Sequence, residues 1–483
     1  MRSRNRAAAP RAFNLADLFE IVVDACPERL ALVAGEVRLS YEALDRRANR
    51  VAHHLEHAGL VTESLGWWRA AAAAAAKVAG HREVVSYLRH LLDLLPAAGE
   101  PTGVDEIEVL VALGVSLVAL EGYTSDEVAQ VHERVRLLFA GQTNDTGPVP
   151  AVFYPVWAYH HVRGELDESS LLSSRLWAGH VHGTGTQRAL AAGMAGFDLF
   201  ERGDLRPAAA LLEEAAWDEV EPIPETPHEQ WSATTVLRGA ALWIAGDRER
   251  GRDRIEAAIR RAEGLGLPKG PFTRAFVHAY AAWWKLLADD APGAAVHAKR
   301  SYDEAVANGY ASWMVAASMH AAAAQARLGE PEPAVQTLLH LLQIWRQAGA
   351  EAFRPVFLRW LAEAYAASGD HAAALAVLDE GIAHVQSFGG AVHRAELHRS
   401  RGRVLRDLGR SGEAVDEFRR AARLAAGQEA RSFELRARID LVETLPRRES
   451  DAERQVLARL IDTFPATLHD ADLMLARELG AKR

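Results

Sequence analysis

The sequence predicts an all-α, right-handed superhelical solenoid of about nine helix pairs, preceded by a small α/β-like appendage. Three observations predict it. From about residue 66 the chain is rich in Ala, Leu and Arg, and its apolar residues recur with the 3.6-residue period of a helix. A turn mark then recurs at Gly80, Gly122, Gly164, Gly203, Gly246, Asp289, Gly329, Gly369 and Gly409. The intervals are 42, 42, 39, 43, 43, 40, 40 and 40 residues, and each mark separates two helical stretches. The unit is therefore a helix–turn–helix pair that buries its apolar face only against neighbouring pairs.

Bulk properties narrow the function. A hydrophobic content of 49% with 25% charged residues is that of a water-soluble globular chain. The formal net charge of −10 argues against nucleic-acid binding through a basic surface. Cys26 is the single cysteine, so no intramolecular disulfide and no cysteine-based zinc site exist. No apolar run approaches the ~18 residues that span a bilayer. A cytoplasmic protein without membrane contact is expected.

Residues 1–12 are basic but lack an apolar core and read as a disordered leader. In residues 13–60, Leu15, Leu18, Phe19, Val22 and Val23 form one helical stripe that Pro27 ends. Residues 30–33 and 37–39 flank Ala34-Gly35-Glu36 as a hairpin. Ser40 then caps a helix from Tyr41, with Leu44, Ala48, Val51 and Leu55 at helical spacing and Gly59 at its end.

The stretches Asn14-Leu15-Ala16-Asp17-Leu18-Phe19, Pro27-Glu28-Arg29-Leu30-Ala31-Leu32, Ser40-Tyr41-Glu42-Ala43-Leu44-Asp45 and Ala48-Asn49-Arg50-Val51-Ala52 resemble the start of the adenylation domains of nonribosomal peptide synthetases. In that family these residues are structural. The chemistry lies in a later Ser/Thr/Gly-rich phosphate loop and a lysine. His182-Gly183-Thr184-Gly185-Thr186 is the nearest stretch here, and it lacks the following Gly-x-Pro-Lys. A phosphate site needs its cradle of backbone amides, so residues 13–60 read as a non-catalytic fragment without adenylation activity.

Residues 66–445 form the repeat region. Before Gly369 stand Leu358, Leu361, Ala362 and Tyr365, and Ala374 follows. This resembles the tetratricopeptide pattern: large residues, a small residue where the helices cross, then an aromatic ring. Gly196, Gly239, Ala322 and Gly402 hold the same small position, seven before their marks. The period exceeds the ~34 residues usual for that repeat, which implies longer helices or loops.

Segments such as Leu242-Trp243-Ile244-Ala245-Gly246-Asp247 and Ala395-Glu396-Leu397-His398-Arg399-Ser400-Arg401-Gly402 resemble the repeat region of large ATP-binding, LuxR-type and cyclase-linked bacterial regulators. Those regulators join their repeats to an NTPase module and often to a DNA-reading helix-turn-helix. This sequence has no G-x-x-x-x-G-K-[ST] loop. Residues 446–483 read as capping helices.

No catalytic constellation emerges: there is no G-x-S-x-G elbow and no H-E-x-x-H helix. His53 and His57 share a helix face, and His160-His161 and His180-Val181-His182 form two further clusters, but none has an assignable third ligand. Neither metal nor cofactor is expected.

The positions ten, six and three before each mark share one face of the first helix. By resemblance to tetratricopeptide repeats, that face lines the concave groove. It carries Tyr154, Ala158 and His161, then Gly193, Phe197 and Phe200, then Val236, Ala240 and Trp243. Ala279, Trp283 and Leu286 follow, then Met319, Ala323 and Ala326, then Arg359, Glu363 and Ala366, and last Arg399, Arg403 and Arg406. An aromatic groove with a cationic end is therefore expected, centred on Phe200, Trp243 and Trp283, with Arg359, Arg399 and Arg403 steering an anionic ligand end. Each ring has a plainer reading as core, since large aromatics are mostly buried. Residues 218–230 and 141–150 are Pro-rich, as lids or long connections are.

The leading function is a non-enzymatic binding scaffold for a peptide, a partner protein (a biosynthetic enzyme among the candidates) or a small apolar ligand, placed by the synthetase-like start in natural-product biosynthesis or its regulation. One alternative is an enzyme working inside the curled solenoid. Curling around a deep pocket holding His161, Arg359 or Glu363 favours that reading, and an open groove favours the scaffold. A ligand-sensing regulator lacking NTPase and DNA-binding modules is the third.

Overall fold

The computed structural model describes residues 30–34, 37–40, 54–98, 103–140, 150–180, 185–215, 217, 223, 226–468 and 470–481. The leader, the helix expected around Leu15 to Val23, the start of the helix from Tyr41, and Cys26, His53 and His182 lie outside the described residues, as does most of 141–150. The chain divides into two compact units, Met1–Val109 and Leu110–Arg483.

In the first unit, β1 (Leu30–Ala34) pairs antiparallel with β2 (Val37–Ser40), with Val33 opposite Arg38 and a register irregularity between Leu30 and Leu32. This is the hairpin that the alternation around Gly35 predicts. The helices α1 (Val61–Lys77) and α2 (His81–Leu94) follow. Trp68 joins them through ring contacts with Tyr87 at 5.6 Å and His90 at 4.7 Å.

The second unit is a run of helical hairpins. These pair α3 (Gly103–Glu121, of which Leu110 onward belongs to this unit) with α4 (Asp126–Ala140), α5 (Pro150–Val162) with α6 (Leu166–His180), and α7 (Thr186–Arg202) with α8 (Leu205–Glu214). Next come α9 (Gln230–Ile244) with α10 (Arg248–Gly264), α11 (Gly270–Leu287) with α12 (Ala291–Asn308), and α13 (Ala311–Arg327) with α14 (Pro331–Gln347). The last pairs are α15 (Arg354–Ala367) with α16 (His371–Phe388) and α17 (Arg394–Asp407) with α18 (Ser411–Gly427). Three further helices end the unit: α19 (Arg431–Thr444), α20 (Asp451–Ile461) and α21 (Ala471–Ala481). The fold is an all-α tetratricopeptide-like solenoid.

Each sequence mark falls in the turn inside one hairpin. The turn reverses the chain through one residue of positive φ, from Gly122 at 93° to Gly409 at 75°. At two marks another residue takes that strain, Ala79 at 57° and Asp289 at 57°. Helix amphipathicity then fixes the packing. In α18 the buried residues are Ala414, Val415, Phe418, Ala421, Ala422 and Ala425, a single stripe at helical spacing.

The small crossing residues are sterically required. A Cβ at Gly239 would stand 2.6 Å from Ile255 Cγ1 and 2.7 Å from the Gly251 carbonyl oxygen, and one at Gly402 would stand 2.6 Å from Phe418 Cε1. Overpacking of this kind costs about 1–3 kcal/mol. Gly239→Ala is expected at the upper end and Gly402→Ala lower, because a ring can shift where a backbone carbonyl cannot. Equal denaturation midpoints for the two variants and the parent would contradict this reading.

The second unit curls until successive turns of the solenoid touch. Ser432 of α19 donates to the Trp243 carbonyl of α9 at 2.6 Å, five pairs earlier in the chain. Arg248 reaches Asp470 at 2.6 Å and Asp472 at 3.0 Å. The amides of Glu351 and Ala352 both donate to the Val162 carbonyl at 2.9 Å. These returns cover part of the concave face, and what remains open is the site described next.

Candidate functional site

The curl surrounds a cavity of about 210 Å³ lined by the N-terminal and middle parts of α7, α9, α11 and α13, by the helix α5, and by the segment from Ala348 to Phe357. Aromatic rings supply most of its wall. Phe276 stacks on Tyr280 at 4.7 Å and on His228 at 5.4 Å, and meets Trp313 edge-on at 5.2 Å. Phe353 closes on Tyr280 at 5.3 Å in a T-shaped contact. On the opposite side Trp157 packs edge-to-face on Phe197 at 5.9 Å. Pairs of this geometry fix one another's orientation as well as burying area.

Of the long Pro-rich connection, Ile223 and residues 226–230 are described, and they are fastened to the body. Gln230 Nε2 donates to the Ile223 carbonyl at 3.1 Å, and the Glu229 amide donates to Thr273 Oγ1 at 2.9 Å. His228 from this segment lines the cavity and lies 3.4 Å from the Tyr154 hydroxyl, itself 3.4 Å from that of Tyr123. Burial, with Lys269 adding, pushes the His228 imidazole down to about 3, so it is neutral at physiological pH.

The wall turns polar around α5 and α7. Asp198 is buried and accepts four hydrogen bonds: from Trp157 Nε1 at 3.0 Å, His161 Nδ1 at 2.9 Å, Ser169 Oγ at 2.8 Å and Ser173 Oγ at 2.5 Å. This fixes the ring of His161, whose Nε2 has no hydrogen-bond partner among the described residues. Burial disfavours the imidazolium, but the hydrogen bond and charge of Asp198, with Glu201 adding, hold His161 above the usual histidine value.

Glu201, one helical turn after Phe197, is 7% exposed and has no hydrogen-bond partner among the described residues. Burial raises its carboxyl above the usual range, Asp198 adds to this, and His161 opposes it. Farther round, His320 is 3% exposed with neither ring nitrogen paired, and burial pushes it down to about 3. A hydrogen-bonding ligand placed near His161, Glu201 and Tyr280 would find donors and acceptors not used by the protein itself.

The residues expected from sequence divide sharply. Tyr154, His161 and Phe197 line the cavity, together with Ala158, Gly193 and Ala279. Phe200, Trp243, Trp283 and Met319 do not. Their exposures of 2%, 5%, 1% and 0% place them in the packed core. Trp243 carries Arg248 and Arg436 over its ring, at 4.8 and 5.5 Å. The expected cationic groove end is corrected in the same way. Arg359 and Arg399 both bind Glu396 at 2.8 Å, Arg403 binds Asp440 at 2.9 Å, and Glu363 accepts from Arg327 at 2.7 Å. Arg359 and Arg399 are buried in these pairs and Arg403 is 49% exposed, and among the described residues no arginine lines the cavity.

The groove positions chosen from sequence missed Tyr123, Asp198, Glu201, His228, Phe276, Tyr280, His320 and Phe353. One signal for two of them is present in the sequence. Asp198 is the only charged residue in the stretch from Ala189 to Phe200, and Glu201 follows directly after it.

The tetratricopeptide repeat family model matches residues 354–426. A medium/long-chain-fatty-acid–CoA/3-oxocholest-4-en-26-oate–CoA ligase of Mycobacterium marinum is 49% identical over 49 N-terminal residues, 10% of this chain and 9% of the ligase. The N-(5-amino-5-carboxypentanoyl)-L-cysteinyl-D-valine synthase of Amycolatopsis lactamdurans is 58% identical over 38 residues, 8% of this chain and 1% of the synthase. The chain thus spans about a tenth of the length of the ligase. Among solved structures, the APC/C hetero-tetramer Cut9–Hcn1 is similar at a TM-score of 0.49 and 10% identity, over 96% of this chain and 80% of that one.

Proposed function

We propose that the chain is a helical-repeat binding scaffold whose curled second unit holds a small, mainly apolar molecule. The observation that carries this reading is the cavity of about 210 Å³, walled by aromatic rings and furnished with a few buried polar groups. Pockets of that composition are the usual sites for small organic ligands. The tetratricopeptide match supports a partner-binding role for the outer surfaces of the same solenoid. The short N-terminal likeness to a CoA ligase and a peptide synthetase supports a place in natural-product biosynthesis or its regulation.

Native mass spectrometry of the purified protein tests the reading directly. A bound species of a few hundred daltons supports it, and a bound peptide points instead to peptide capture. Gly193→Phe provides the control. A Cβ at Gly193 meets only Thr234 Cγ2 at 3.5 Å and Trp217 Nε1 at 3.9 Å, ordinary contacts, and all three residues line the cavity. The added ring is expected to fill the space and abolish retention of the ligand while leaving helical circular dichroism unchanged. Undiminished retention would place the ligand elsewhere.

One observation favours a second reading, acid–base catalysis. The solenoid does curl around His161, whose pairing with Asp198 leaves Nε2 open to the cavity. Chemical change of the recovered ligand on incubation with the protein, lost in His161→Gln, would establish it. An unchanged ligand leaves the binding role.

A further inference from the structure

A small recess adjoins the cavity, and its shape and charge define one end of the ligand. His161, Ala352 and Phe353 line both spaces. The recess measures about 10 Å³, and Glu201 lies in its wall. That volume admits about one water-sized group, a single heavy atom with its hydrogens. Opposite Glu201, the backbone of Gly390 leaves the space clear: a Cβ there would stand 3.7 Å from Glu201 Oε2.

Charge selects among one-atom groups. Among the described residues no lysine or arginine lines the cavity or the recess, and the His161 imidazole that lines both is already bonded to Asp198. The carboxyl groups there are Glu121, Glu201 and Glu351, with Asp198 directly behind His161. Glu351 is already paired to Arg354 at 2.8 Å, and Asp198 is saturated by its four donors. Glu201 alone among these is buried without a hydrogen-bond partner. Leaving such a group unpaired is costly, and an arriving cation removes that cost by charge-assisted hydrogen bonds. The approach passes the rings of Phe353 and Tyr280, whose negative faces attract cations. A carboxylate has three heavy atoms and the wrong sign. A hydroxyl fits by size and can donate to the carboxylate, but it brings no opposite charge.

We propose that Glu201, backed by the His161–Asp198 pair, anchors the ammonium group of a small apolar amine whose hydrocarbon part fills the cavity. This rests on the ligand-binding reading above. The ammonium donates to the Glu201 carboxylate and to the Tyr280 hydroxyl oxygen, and no covalent step is involved.

Calorimetric titration of the full chain with 2-phenylethylamine, 2-phenylethanol and 3-phenylpropanoate tests the proposal. The amine is expected to bind at least about tenfold more tightly than the alcohol, an ion pair with both partners charged against a hydrogen bond with only the acceptor charged, with the carboxylate weakest. Glu201→Gln keeps shape and hydrogen bonding but removes the charge. It should weaken the amine about tenfold and the alcohol distinctly less, because only the amine loses an ion pair. Should that variant fail to fold, Tyr280→Phe is the second, with a smaller loss confined to the amine. Equal binding of amine and alcohol means that the recess holds only a neutral group and overturns the proposal, as does tighter binding of the carboxylate or indifference to Glu201→Gln. If none of the three compounds binds, the ligand-binding reading itself fails.

Discussion

Replacing Trp283 with alanine is expected to destabilise the second unit by about 3–5 kcal/mol, the usual cost of deleting a buried large aromatic side chain. Trp283 is 1% exposed and lies where three parts of the curl meet. Phe200 of α7 contacts it edge-on at 6.1 Å, Phe353 at 6.1 Å and His393 at 6.2 Å, the last from the following turn of the solenoid. Truncation therefore opens a void at the seam between turns, where no single helix can collapse to fill it. Trp283→Phe keeps most of the packing and removes an indole N–H that has no partner, so its loss should be much smaller. Chemical denaturation followed by circular dichroism measures both. A loss below about 1 kcal/mol for Trp283→Ala would mean that the ring faces open space, contrary to its burial.

Acidification between pH 6.5 and pH 5 is expected to cost several kcal/mol of stability, before carboxylates titrate. His228, His320 and His393 are each pushed down to about 3, chiefly by burial, with Lys269 acting on His228 and Arg359 on His393. In the unfolded chain each titrates near 6.5. Below that pH the unfolded state takes up protons that the folded state refuses, so stability falls as pH falls. At pH 5 the loss is about 2 kcal/mol per histidine. His161, held above its ordinary value, works in the opposite direction and offsets part of this. The carboxylates Glu363 and Glu396, held low against their burial by surrounding arginines, lose their contribution only below about pH 4.5. The two windows are thus separate. Denaturant midpoints that stay constant from pH 7 to 5 would contradict the neutral buried histidines, and His320→Leu should remove its own share of the slope.

Much of the solenoid was legible in the sequence. Periodicity, the recurring turn mark and small residues such as Gly239 and Gly402 are local requirements: a stripe must be buried, a reversal needs positive φ, and a crossing needs room. Each constrains residues close together in the chain. The hairpin around Gly35 was legible for the same reason.

The site was legible only in part, because it depends on contacts between residues far apart in sequence. The groove face chosen from positions ten, six and three before each mark is the concave face of an isolated array. It found Tyr154, His161 and Phe197. In the folded second unit the following turn comes back over the C-terminal ends of the first helices, as Ser432 on Trp243 and His393 on Trp283 show. Those ends become core, and the opening moves toward the middle of the helices, where Phe276 and Tyr280 stand. The arginine stripe had the same fate. Its partners include Glu396 for Arg359 and Asp440 for Arg399 and Arg403, each on the next repeat, so charges that look free along one helix are neutralised across several. By itself the sequence determined the repeat, its helices and its turns, since these follow from nearest-neighbour burial. Only the tertiary structure decided which face stayed open, because the tightness of the curl is a sum of small angles over many crossings that no single repeat encodes.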